Sequence, residues 1–100
     1  MGGETIRDIV RKFAMAIKDE YNPQSVYLFG SYAKGNANEN SDVDVAVIVK
    51  DLNGDFLEKW GDLFGYSWEI DSRLEPHLLL ADNDSMLLDE IYANGERIWG

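Results

Sequence analysis

Residues 28–49, LFGSYAKGNANENSDVDVAVIV, contain the strongest indications of how this chain folds. Two apolar segments are joined there by a glycine–serine turn and a run of small or polar residues. The second apolar segment, residues 42–49, is rich in β-branched side chains and predicts a strand. Its valines fall on one face of that strand, while Asp42 and Asp44 fall on the other. Because an ionised carboxylate is costly to bury among apolar side chains, this pair of aspartates needs a physical explanation.

Outside this segment, the apolar periodicity predicts alternating helices and strands. Thr5 is a candidate N-cap for the first helix, and Gly35 is expected to end a short helical turn that starts at Ser31. We therefore predict an α/β fold of the α+β type, in which helices pack against a small mixed or antiparallel sheet, as a single domain over residues 1–100. The predicted helices are residues 4–21, 31–34, 56–64 and 85–93, and the predicted strands are residues 26–30, 42–49, 69–75 and 96–99.

The predicted third strand, residues 69–75, carries further acidic side chains. Alternation along this strand would place Asp71 and Glu75 on one face. Pro76 follows directly, and because proline has no backbone N–H, it either ends the strand or confines the strand to an edge of the sheet.

The composition limits the classes of function. The 100 residues include 19 acidic and 9 basic side chains, which gives a formal net charge of −10. Proteins that grip nucleic-acid phosphates usually carry the opposite sign, so we do not expect direct nucleic-acid binding, whereas a basic protein partner would fit. The chain has no cysteine, which excludes disulfides and cysteine zinc sites. Its apolar runs are too short to cross a membrane, and we expect a cytoplasmic protein.

The spacing of Asp42 and Asp44 indicates a metal site. Two residues apart on a strand, their Cα atoms would lie ~7 Å from each other. Carboxylates this close repel each other in an apolar setting, and a divalent cation removes that repulsion. Hard oxygen ligands suit Mg²⁺, which keeps ligand positions available for the phosphates of a substrate.

The glycine–serine turn indicates a phosphate site beside the aspartates. Gly30 would let the backbone approach a phosphate closely, and the N–H groups after Ser31 would point outward at the start of a helix, which favours an anion. The Ser31 hydroxyl can donate a further hydrogen bond. Lys34 is another candidate for phosphate contact, although a surface position without such a role is more common for lysine.

The order Gly-Ser, ten residues, then Asp-Val-Asp resembles the signature of the DNA polymerase β-like nucleotidyltransferase superfamily. The compact length resembles its minimal members, the MNT (minimal nucleotidyltransferase) proteins. This resemblance implies a metal-dependent enzyme that moves a nucleoside monophosphate, usually AMP from ATP, onto an acceptor hydroxyl. It also implies that Gly30 and Ser31 hold the triphosphate, and that Asp42 and Asp44 bind two metal ions, Mg²⁺ or alternatively Mn²⁺.

The same superfamily uses a third carboxylate, on a neighbouring strand, to bind metal and activate the acceptor. Asp71 and Glu75 are both candidates here. The position of Glu75 relative to the end of the chain favours it slightly, and the choice stays open.

Minimal MNT proteins resemble the antitoxin halves of toxin–antitoxin pairs whose other half is a helical HEPN ribonuclease. The resemblance implies an antitoxin that AMPylates a tyrosine of a HEPN-type partner, within a homo- or hetero-oligomer. Two alternatives remain open. The chain could be a non-catalytic acidic module that neutralises a basic helical partner by contact alone, or a transferase that acts on a small molecule such as an aminoglycoside.

Several other side chains have ordinary interpretations. His77, which is the one histidine of the chain, is interpreted as a surface or edge residue rather than a site residue. Four aromatic residues could stack on a base, but we interpret them as core or partner-interface residues: Trp60, Phe64, Tyr66 and Trp68.

Overall fold

The structure, a computed structural model, describes residues 5–38, 40–83 and 85–100. Helices and strands follow the predicted order, although Glu4, the predicted start of the first helix, lies outside the described residues. None of the helices in these ranges has the length and apolar character needed to span a membrane. The helices are α1 (Ile6–Tyr21), α2 (Ser31–Lys34), α3 (Phe56–Ile70) and α4 (Met86–Asn94), and the strands are β1 (Ser25–Phe29), β2 (Val43–Val49), β3 (Leu74–Leu80) and β4 (Glu96–Trp99).

The four strands form one mixed sheet in the order β3-β2-β1-β4. Strand β1 is antiparallel to β2 and to β4, while β2 is parallel to β3. The register places Phe29 opposite Asp44, and Asp44 opposite Glu75. The end of β1 and the starts of β2 and β3 therefore meet at one end of the sheet. These features confirm the predicted α+β fold.

Helices α1 and α3 pack on one face of the sheet and form the main core with it. The four valines of β2 are fully buried on this face, as their alternation predicted. Helix α1 begins at Ile6, with Thr5 as its N-cap as predicted: Thr5 accepts a hydrogen bond from the Asp8 N–H at 3.1 Å, and the Asp8 carboxylate accepts one from the Thr5 N–H at 3.3 Å. Its buried side chains are Ile9, Val10, Phe13, Ala14, Ile17 and Tyr21.

Helix α4 packs on the opposite face and covers it less completely. Leu88 and Ile91 of α4 form a second, smaller core with Ala46 and Ile48 of β2. By alternation, Asp44 lies on the same face as these two β2 residues. The Asp44 side chain keeps 26% of its surface exposed, so the acidic end of this face is open to solvent.

The third strand lies later in the chain than predicted, and the prediction of a strand over residues 69–75 is wrong. Helix α3 continues past Phe64 to Ile70, because Leu63, Ser67 and Ile70 keep contacting the core at helical spacing. Strand β3 then begins at Leu74. Residues 69–75 alternate in polarity, but they comprise the end of α3, a short connection and the first two residues of β3.

A consequence of this shift is that Asp71 and Glu75 do not share a strand face. Asp71 is the C-cap residue of α3, and only Glu75 lies in β3. The predicted common face of these two carboxylates is therefore wrong.

Pro76 lies inside β3, which is an edge strand, in agreement with the alternative that confined it to an edge. Its carbonyl accepts a hydrogen bond from Nε1 of Trp60 at 2.9 Å, so this residue presents its backbone polar group away from β2. The N–H that proline lacks would point to the same free edge. Proline at this position therefore removes no hydrogen bond between β3 and β2.

Candidate active site

Gly30 makes the turn between β1 and α2 directly against Asp44. Its backbone has φ 76° and ψ −148°, a conformation that residues other than glycine rarely adopt. A Cβ built at this position would overlap Oδ2 of Asp44 and lie 3.2 Å from its Cγ. Glycine is therefore needed at position 30 for two independent reasons: the backbone conformation, and the space that the Asp44 carboxylate occupies. The turn backbone therefore leaves no room for a side chain beside Asp44.

Asp44 and Glu75 are neighbours across the parallel pair of β2 and β3. His77, two residues along β3 from Glu75, lies on the same face. One ligand atom from each of Asp44, Glu75 and His77 lies within 4.8 Å of the other two. Two carboxylate oxygens and an imidazole nitrogen converge in a way that suits a divalent cation, so the residues present fit a metal site.

The imidazole of His77 packs against aromatic rings. Nε2 lies 3.5 Å from Oδ1 of Asp44, and this buried atom has no hydrogen-bond partner among the described residues. The ring contacts Phe29 edge-on, with the centroids 5.1 Å apart. An unpaired polar atom in a buried position is unfavourable, which is physically consistent with a ligand atom aimed at a cation.

His77 belongs to this candidate metal cluster, and the sequence interpretation did not include it. It was interpreted as a surface or edge residue, and it does lie in an edge strand, but its imidazole points at Asp44. The available signal was its spacing of two residues from Glu75, which puts both side chains on one face of any strand.

The remaining predicted site residues are not part of this group of three. Asp42 directly precedes β2 and is exposed, and the group of three converging ligand atoms does not include it. Ser31 is the first residue of α2, and its carbonyl accepts a hydrogen bond from the Asn36 N–H at 3.1 Å. Lys34, in the last turn of α2, is exposed.

Asp71 is bound to Arg73 instead of facing Asp44. Its Oδ1 accepts hydrogen bonds from the Arg73 N–H at 2.9 Å and from Nε at 3.1 Å, and its Oδ2 accepts one from Nη2 at 3.0 Å. This hydrogen bonding to the guanidinium lowers the pKa of Asp71 below its ordinary value. The carboxylate therefore stabilises the turn between α3 and β3.

The loop before Asp42 is organised by Asn38. The Asn38 N–H donates to Oγ of Ser41 at 3.0 Å, and its carbonyl accepts from the Ser41 N–H at 3.0 Å and from the Tyr32 hydroxyl at 3.2 Å. Its Oδ1 accepts from the Asn40 N–H at 2.8 Å. These bonds connect α2, which carries Ser31, to the segment that leads into β2.

Comparison with known proteins adds independent information about this arrangement. Residues 10–92 match the family described as Nucleotidyltransferase domain. That range contains the Gly30 turn, the Asp42–Asp44 pair and the cluster formed with β3. The match thus covers most of the chain and all the elements that form the site.

Two curated relatives share substantial sequence with the chain. A Methanocaldococcus jannaschii protein, provisionally named a protein adenylyltransferase, is 38% identical over 65 residues, which are 65% of this chain and 65% of that protein. The protein adenylyltransferase MntA of Shewanella oneidensis is 32% identical over 80 residues, which are 77% of this chain and 54% of that protein. The chain spans less than two thirds of the length of these relatives.

A solved structure shares the fold. The crystal structure described as a toxin–antitoxin with AMP-PNP matches with a TM-score of 0.66 at 27% sequence identity, covering 90% of this chain and 73% of that chain.

Proposed function

Because the chain belongs to the nucleotidyltransferase domain family, as its Gly-Ser and Asp-Val-Asp pattern indicated, we propose that it transfers AMP from ATP to an acceptor hydroxyl. The observation that carries this proposal is the position of Asp44. Its carboxylate lies against the Gly30 turn on one side and opposite Glu75 on the other. A phosphate held at the turn would therefore lie beside the acidic cluster.

Each residue of the site has a distinct proposed role. The Gly30 backbone and the Ser31 hydroxyl hold the phosphates, with Lys34 as an additional contact. Asp42, Asp44 and Glu75 hold the divalent cation or cations, Mg²⁺ or Mn²⁺, and His77 lies within reach of the same cluster. When bound, the cation neutralises the carboxylates and the developing charge on the phosphates.

We propose Glu75, rather than Asp71, as the third carboxylate. Glu75 faces Asp44, whereas Asp71 is held by Arg73. In the proposed reaction, the acceptor hydroxyl loses its proton to a carboxylate of the cluster, and its oxygen forms a bond to the α-phosphorus of ATP. The bond from that phosphorus to the bridging oxygen breaks, and pyrophosphate leaves.

The proposed acceptor is a tyrosine of a HEPN-type helical protein, which would give the chain an antitoxin role in the cytoplasm. Two comparisons support this proposal: one relative is named a protein adenylyltransferase, and one structural neighbour is described as a toxin–antitoxin with AMP-PNP. The net charge of −10 is also suited to a basic protein partner.

The test combines ATP binding and AMP transfer. Titration calorimetry of ATP with Mg²⁺ is expected to show metal-dependent binding to the wild type and none to the double variant Asp42→Asn, Asp44→Asn. ATP labelled at the α-phosphate should label a HEPN-type partner protein, and ATP labelled at the γ-phosphate should not.

The same variant separates catalysis from neutralisation by contact alone. If the double variant neutralises the partner as well as the wild type does, the chain is an acidic binding module and the proposed reaction is wrong. Transfer of γ-label, or no transfer of α-label with the partner present, would also contradict the proposal.

A further inference from the structure

Helix α3 presents an apolar stripe to solvent beside its buried face. Leu57, Phe64 and Trp68 are 72%, 39% and 71% exposed. Their spacings of seven and four residues place them on one face of the helix, over a length of about 16 Å at the α-helical rise. Several large apolar side chains exposed on one helix face are typical of an interaction site.

Two glycines, Gly61 and Gly65, lie along this stripe on its acidic side. A Cβ at Gly61 or Gly65 would meet nothing within 4 Å, so neither position needs glycine for packing inside the chain. Glycine in a helix interior is less favourable than alanine. A side-chain-free surface next to large apolar residues lets the backbone of a second helix approach closely.

One edge of the stripe is acidic along the whole helix. Glu58, Asp62 and Glu69 follow each other at helical spacing on that side. Asp62 and Glu69 also line an open depression of about 340 Å³ together with Glu20, Gly65 and Tyr66. Of the three carboxylates around this depression, Glu20 pairs with Lys59 at 3.2 Å, and neither Asp62 nor Glu69 forms an ion pair with another described residue.

We propose that this α3 surface, formed by Leu57, Gly61, Phe64, Gly65 and Trp68, binds an amphipathic helix of a basic partner protein. The apolar face of that helix packs on the stripe, and a lysine or arginine from its flank enters the acidic depression. A second copy of this chain is a poor occupant, since each copy carries a net charge of −10. This inference deepens the proposed function. It rests on that function only in taking the bound protein to be the acceptor of AMP.

The position of the surface suits such a partner. Residues 71–73 connect the Trp68 end of α3 to the start of β3, where Glu75 lies. The docked helix would therefore end near the end of the sheet that carries the acidic cluster.

The test uses a fluorescein-labelled amphipathic peptide of about 18 residues, with leucines on one face and arginines along one flank. Fluorescence anisotropy is expected to show binding to the wild type. The variant Trp68→Ala should weaken binding about tenfold or more, and the double charge reversal Asp62→Lys, Glu69→Lys should weaken it about tenfold. A peptide with glutamates in place of the arginines should not bind.

Matched variants on α4 and in the loop before it control for general loss of apolar surface and of negative charge. Met86→Ala removes a side chain that is 89% exposed, and Asp82→Lys with Glu90→Lys makes the same change of charge at exposed positions. Both should change the affinity less than about twofold. Equal weakening by these controls, or equal binding of the glutamate peptide, would overturn the proposal.

Two further measurements separate this surface from the proposed enzyme activity. Trp68→Ala should bind ATP with Mg²⁺ like the wild type, and Asp44→Asn should bind the peptide like the wild type. If the wild type binds ATP but does not bind the peptide, the proposed α3 docking surface is wrong and the proposed enzyme activity is unaffected. A dimer in sedimentation experiments that Trp68→Ala abolishes would assign the surface to a second copy and would also overturn the proposal.

Discussion

The two faces of β2 have very different compositions although they alternate along one strand. The face toward α1 and α3 consists of fully buried valines, and its only role is packing. The opposite face changes along its length, from Ile48 and Ala46 under α4 to the partly exposed Asp44 beside Gly30. A strand with one entirely apolar face can thus carry charge at one end of its other face. Mutations on the two faces should have separable effects on stability and on activity.

The largest effect is expected from a charge on the packing face. Val47→Asp would bury an unpaired carboxylate and should cost more than about 4 kcal/mol, enough to unfold many domains of this size. Val47→Ala, which only removes methyl groups, should cost about 2 kcal/mol. Urea denaturation followed by circular dichroism measures both. A wild-type midpoint for Val47→Asp would contradict the assignment of this face to the core.

On the other face, Asp44→Asn should leave the fold intact and remove the reaction. We expect AMP transfer to fall about 1000-fold, because the amide cannot hold a cation as the carboxylate does. Without metal, the variant should be as stable as the wild type or slightly more stable, since repulsion with Glu75 is removed. Added Mg²⁺ should raise the denaturation midpoint of the wild type and not of the variant. Equal stabilisation of both by Mg²⁺ would contradict the metal site.

Gly30→Ala tests the contact that joins the turn to Asp44. The new Cβ would overlap the Asp44 carboxylate in a backbone conformation with φ 76°, so we expect a loss of about 2–3 kcal/mol and weaker ATP binding. Gly35→Ala is a matched control, because its φ of 80° is similar but its Cβ would meet nothing within 4 Å. The control should cost about 1 kcal/mol and leave ATP binding unchanged. Equal effects of the two substitutions would show that the overlap with Asp44 is unimportant.

A smaller effect is expected at His77. The variant His77→Phe keeps a ring against Phe29 but removes the nitrogen near Asp44. Affinity for Mn²⁺, measured by calorimetry, should fall about tenfold. Stability without metal should be unchanged or higher, because an unpaired buried polar atom is lost. An unchanged Mn²⁺ affinity would assign His77 to packing alone.

The sequence predicted the two faces of β2 and the turn at Gly30 because these features depend on local patterns. Valines at a period of two residues, a glycine before a short helix, and the N-cap at Thr5 need no knowledge of distant residues. The structure confirms each of them.

The error lay at the boundary between α3 and β3. Residues 69–75 show the alternation of a strand, while Leu63, Ser67 and Ile70 show the spacing of a helix, and the two patterns overlap. Packing of the longer helix on the core decides between them, and packing is a tertiary effect that a local pattern does not contain. The spacing of His77 from Glu75 could indicate a shared strand face, but the convergence of His77 with Asp44 also depends on the parallel pairing of β2 with β3, which is a tertiary feature.

The smallest effect concerns Asp71, which this boundary error had placed beside Glu75. Arg73 lowers the pKa of Asp71, so the pair stabilises the fold above the ordinary carboxyl pKa of about 4, and this stability is lost as the pH falls through the lower folded value. Asp71→Asn should therefore lower the free energy of unfolding by less than about 1 kcal/mol at neutral pH. It should also reduce the loss of stability that the wild type shows below about pH 4. Urea midpoints across this range measure the effect, with Asp82→Asn as the control. If Asp71→Asn also abolished AMP transfer at neutral pH without loss of stability, Asp71 rather than Glu75 would be the third carboxylate.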